Sequence, residues 1–95
     1  MKILVIKVDL RAIYVHSLKE KRMIVKSLIG KLENKFNISV REEDDQDLHQ
    51  RISIGIVKID LNNKQCDQSK EKIISFIEEH CEAEIIDIES EIINY

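Results

Sequence analysis

Cationic side chains crowd the short stretch from His16 through Arg22, and the run resumes at Lys26. Lys19, Arg22 and Lys26 stand at i, i+3 and i+7, a spacing that lines one flank of a helix. Cations grouped in this way suit phosphate groups, because each contact with a nucleic acid backbone releases a condensed counterion. Lys21 and Arg11 are expected to extend the patch. The same residues are also consistent with a solvated flank whose charge is balanced by neighbouring acids. A second polar group, Asp47, Gln50 and Arg51, precedes the apolar run that begins at Ile52. By strand parity Arg51 shares a face with Ser53 and Gly55, and Lys7, Asp9 and Arg11 share the equivalent face of the first strand. Such a face could receive an anion, an RNA backbone or a partner protein. Alternatively, Asp47 and Arg51 form an ion pair that fixes a hairpin.

Acid–base chemistry has two candidate pairs, His16 with Glu20 and His49 with Asp47. A surface histidine near a carboxylate is usually incidental, and no nucleophile–histidine arrangement or glycine-rich phosphate loop accompanies either pair. No catalytic residue is therefore assigned. Glu42, Glu43, Asp44, Asp45 and Asp47 lack the spacing and the glycine of a calcium loop, so no metal and no cofactor are expected. His80 beside Cys81 does not make a zinc site. Cys66 and Cys81 fall on one predicted helix about 22 Å apart, beyond disulfide reach, and are expected to be reduced, inert thiols.

The chain has 15 basic and 18 acidic residues, so its formal charge is −3 and any basic surface must be local. Ninety-five residues suffice for one core, predicting a single domain over 1–95. No apolar run approaches the roughly 20 residues that cross a bilayer, and the N-terminus lacks the pattern of a signal peptide. A cytoplasmic protein without membrane contact is expected.

The elements that position these groups follow from periodicity. Leu4, Ile6, Val8 and Leu10 alternate along a strand over 2–13. Ser17 and Glu20 form a capping box that starts a helix over 18–35, with Leu18, Val25, Leu28, Ile29, Leu32 and Phe36 on its buried stripe. Gly30 inside that helix suggests close approach of a neighbour or simple drift. Residues 37–43 read as a second strand and 50–61 as a third, where a β-bulge near Ile56 would reconcile the parity of Ile52 and Ile54 with that of Val57 and Ile59. A helix over 65–81 and a strand over 84–92, burying Ile86, Ile88 and Ile92, complete the order β-α-β-β-α-β. This predicts an α+β, ferredoxin-like βαββαβ sandwich: a four-stranded antiparallel sheet with two helices on one face and the first and third strands central.

The blocks His16 to Arg22, Phe36 to Val40, and Asp47 to Arg51 with Gly55 resemble the YlxP-like family of small uncharacterised bacterial proteins. The resemblance implies the same ferredoxin-like fold and supplies no activity. It also implies a neighbourhood of translation genes, hence RNA or the ribosome as partner. His49 departs from the aromatic residue that the family often carries there, and the loop around Glu43 and Asp45 is more acidic.

The expected function is a non-enzymatic binding module that contacts RNA or the ribosome through Lys19, Arg22, Lys26, Arg51 and Arg11, with His16, Asp47 and Gln50 in support. With Lys, Asp, Arg, Ser and Gly where an RNA-recognition motif has stacking aromatics, backbone or shape recognition is what remains. The alternative is a dimeric interaction domain, pairing through an apolar patch of Ile3, Val5, Val57 and Ile59 on the uncovered sheet face.

Overall fold

Alternation and helical periodicity generate two layers in a computed structural model that describes residues 1–43 and 48–95. Strand β1 (Lys2–Arg11) buries Leu4, Ile6, Val8 and Leu10 on one face. It pairs antiparallel with β3 (Arg51–Asp60), whose Ile52, Ile54 and Ile56 lie opposite Leu10, Val8 and Ile6. The short β2 (Ser39–Glu42) flanks β3, and β4 (Glu84–Asn94) flanks β1, giving the order β2-β3-β1-β4. Helices α1 (Leu18–Lys35) and α2 (Asn63–His80) cross over between strands and seal the same side of the sheet with Val25, Leu28, Leu32, Ile73 and Ile77. This is the ferredoxin-like α+β architecture with β1 and β3 central.

Both helices start by the same device. Ser17 Oγ accepts the Glu20 N–H at 3.1 Å, and Asn62 Oδ1 accepts the Gln65 N–H at 2.9 Å. Glu20 and Gln65 then reach back with their side chains to the His16 and Leu61 N–H groups, one residue ahead of the cap. The cap at Asn62 places the start of α2 two residues before the expected one. Phe36 after α1 meets Phe76 of α2 edge-on, with centroids 5.5 Å apart, and ties the two helices together.

Three expectations are corrected. Strand β3 contains no bulge, because its register with β1 runs unbroken from Lys2–Asp60 to Arg11–Arg51. Val57 and Ile59 face away from the helices in regular alternation. The irregularity lies instead between β1 and β4, at Asp9/Leu10, and there it carries Ile85 rather than Ile86 against the core. Ile88, expected inside, is 37% exposed on the edge strand. Of the two readings of Gly30, close approach falls and drift stands, since a Cβ built on it has nothing within 4 Å.

Candidate functional site

On α1, Lys19, Arg22 and Lys26 are exposed, and at about 100° per residue they span roughly 60° of arc. Arg22 and Lys26 line one wall of a groove of about 580 Å³, with Ile29 and Glu33 beside them and the outer edge of β2 opposite. Lys21, between them in sequence, does not extend this patch. It is 1% exposed, donates from Nζ to the Leu48 carbonyl at 2.8 Å and lies 3.1 Å from Glu42 Oε2. Its position four residues before Val25 puts it on the inward stripe with Leu28 and Leu32, so its charge is met beneath the helix by β2 and by the backbone at Leu48.

At the end of the sheet, register sets Arg11 directly opposite Arg51, with both on the face away from the helices. Glu84 lies opposite Arg11 on the other side. Neither arginine joins an ion pair among the described residues. The six-residue link 12–17 runs from this end of β1 to the start of α1, so Lys19 and Arg22 emerge at the same end of the molecule. Gln50 has a structural task there: its Nε2 donates to the Ile13 and Val15 carbonyls at 3.1 and 3.2 Å, holding that link against the start of β3. His16 is exposed and contributes its backbone N–H to the helix cap. Asp47 lies outside the described residues.

Farther along the open face, Ser53 is buried and its Oγ donates to Asp9 Oδ1 at 2.8 Å, so the hydroxyl and one carboxylate oxygen satisfy each other. The Glu43 side chain lies over Gly55, where a Cβ would stand 2.9 Å from its Cδ. Lys7, Asp9, Arg11 and Arg51 remain on this face as expected, but an acidic row accompanies them. Asp87, Glu89 and Glu91 of β4 pair in register with Asp9, Lys7 and Val5 and therefore point the same way. Sequence reasoning missed that row, although acids at every second position from 87 to 91 were its signal. Between Arg41 and Glu43 on one side and Glu89 and Glu91 on the other runs a groove of about 490 Å³, floored by Val5, Gly55 and Val57. Beyond it the face turns apolar, with Ile3 flanked by Ile59 (63% exposed) and Ile93 (40% exposed).

Cys66 is fully buried, and burial raises its thiol above the ordinary value; Asp60 and Asp67 push the same way against Lys58 and Lys2. Cys81 is half-buried, and both thiols are free. Among the described residues, no group of three or more His, Cys, Asp or Glu side chains could hold a metal ion, and no helix is long and apolar enough to cross a membrane.

A family model described as "Protein of unknown function (DUF503)" matches residues 3–90. The chain is 37% identical over 68 residues to "Uncharacterized protein YlxP" of Bacillus subtilis (strain 168), covering 72% of this chain and 74% of that one. Among solved structures it is similar to the de novo designed protein Foldit4, with a TM-score of 0.53 at 13% identity over 100% of this chain and 99% of the other. At that identity the likeness concerns the fold alone.

Proposed function

The chain belongs to the DUF503 family of proteins of unknown function, and we propose that it is a non-enzymatic binding module for the phosphate backbone of RNA, free or within the ribosome. The observation that carries this reading is the opposition of Arg11 and Arg51 across the central strands. Like charges directly opposite on a ladder repel, and an anion lying between the two guanidinium groups converts that repulsion into attraction. Lys19 and Arg22 begin the α1 flank at the same end, and Lys26 continues it by one turn. A backbone crossing from the arginine pair to this flank meets cations from three elements.

The acidic row of β4 limits where the ligand lies. Phosphates are repelled from Asp87, Glu89 and Glu91, so RNA does not spread over the sheet as it does on a stacking platform. The central positions also offer no aromatic ring to a base. The mode that remains reads backbone and shape, with little dependence on sequence.

Fluorescence anisotropy with a single-stranded RNA of mixed sequence tests the proposal. With four phosphate contacts, affinity should fall about 50-fold between roughly 50 and 200 mM salt. Arg22→Glu with Lys26→Glu, and separately Arg11→Glu with Arg51→Glu, should each abolish binding while the fold persists by circular dichroism. Binding that ignores salt and survives both double replacements would overturn it.

A further inference from the structure

The open face of the sheet has an arrangement that the basic surface does not use. One half is apolar and the other charged, and at the level of Lys7 and Gly55 the two edges carry opposite charges: β4 presents Glu89 where β2 presents Arg41, with Glu91 and Glu43 one pleat to either side. We propose that this face pairs with the same face of a second copy of the chain, about a twofold axis parallel to the strands. The inference does not depend on RNA binding.

The axis follows from the register. A twofold along the strands lays β1 over the partner's β3 and β4 over the partner's β2, and keeps each level of the sheet at its own height. Ile3 then stands over the partner's Ile59, and Val5 over the partner's Val57. Glu89 stands over the partner's Arg41, because both occupy the level of Lys7 and Gly55. Each contact occurs twice, as a twofold interface requires. The other in-plane axis, perpendicular to the strands, fails on the same facts. It lays β4 over β4, acid on acid, and sets the apolar end of one copy over the arginine end of the other. Aligned packing also suits the twist of two sheets meeting face to face.

The interface is small. At the far end Asp87 would lie over the partner's Glu43 and Arg11 over the partner's Arg51, so the sheets close on the apolar half and diverge toward the arginines. Strand spacing and rise give the closed half roughly 20 Å by 20 Å, or about 400 Å² per copy. That is below the area of standard specific interfaces, so the dimer is weak and depends on concentration.

Sedimentation equilibrium of the full chain from about 10 μM to about 1 mM provides the test. The expected result is a mass that rises from one chain toward two. Ile59 is exposed, so Ile59→Asp should leave the fold intact and weaken the dimer about tenfold or more. Arg41→Glu should weaken it as well, and adding Glu89→Arg in the same chain should restore it, because the reversed charges face each other again across the axis. A chain that stays monomeric throughout overturns the inference. So does a dimer indifferent to Ile59→Asp, or a charge reversal that the second replacement fails to rescue. None of these outcomes affects the salt dependence of RNA binding, so the two readings can fail separately.

Discussion

Lys21 and Arg22 are adjacent cations on one helix with opposite environments. Lys21 is sealed under α1, against Glu42 and the Leu48 carbonyl, while Arg22 stands in solvent beside the edge of β2. The inner residue ties the helix to the end of β2 and to the chain leading into β3. The outer one joins no hydrogen bond or ion pair among the described residues. A run of basic residues in a helix is therefore not one surface: the angle of each residue about the axis decides whether its charge holds the structure or meets a partner.

The largest expected effect breaks the inner side of that contrast. Lys21→Ala removes a buried ammonium, leaving Glu42 without its ion-pair partner and the Leu48 carbonyl without its donor, and opens a cavity beneath α1. Breaking a buried pair from one side costs about 3 kcal/mol or more, which should appear as a large drop in the urea midpoint at unchanged slope. Lys21→Met keeps most of the volume and should lose less than Ala, though still more than any replacement of Arg22. If Lys21→Ala is neutral, the buried lysine does not tie α1 to Glu42 and Leu48.

The start of α1 comes next, because the cap orients inner and outer faces together. Ser17→Ala deletes the acceptor of the Glu20 N–H and should cost about 1 kcal/mol. Gly30 offers a change of similar size in the opposite direction. It lies on the outer face with open space where a Cβ would project, so Gly30→Ala should stabilise by about 1 kcal/mol and raise the melting temperature by several degrees. A loss of stability there would mean that a contact near the end of α1 depends on a bare backbone.

The same contrast shows what was legible in the sequence. The bounds of α1 were, because Ser17 and Glu20 announce its start and the apolar stripe sets its length. The order and sidedness of the strands were legible for the same kind of reason, through the alternation of Leu4, Ile6, Val8 and Leu10 and of Ile52, Ile54 and Ile56. Lys21 was misjudged because a charged residue was assigned to the surface by type. Its spacing to Val25, Leu28 and Leu32 places it on the stripe regardless. Val57 and Ile59 suggested a bulge only on the assumption that apolar residues of a strand turn inward. They lie outward on a strand that alternates normally, on the uncovered face where the apolar-patch reading had them. The true irregularity opposite Asp9 and Leu10 could not be read, since Ile85 and Ile86 serve equally well as inward residues until pairing with β1 selects one. The opposition of Arg11 to Arg51 is likewise a property of register between two strands separated by residues 12–50, invisible in either strand alone.

The smallest expected effect on stability sharpens the comparison most. Arg22→Ala and Lys26→Ala should each change the folding free energy by less than about 0.5 kcal/mol, because neither side chain is buried or joins an ion pair among the described residues. Under the proposed RNA-binding function, their absence should be felt in RNA affinity and in a shallower salt dependence, each lost contact lowering the slope by about 0.7 for a single strand. Lys21→Met reverses the pattern, with stability reduced and the salt slope unchanged, since a buried ammonium releases no counterion. Urea melts and salt titrations of the three variants thus place each cation on one side of the helix or the other. A salt slope that moved with Lys21 and not with Arg22 would reverse the assignment of inner and outer roles.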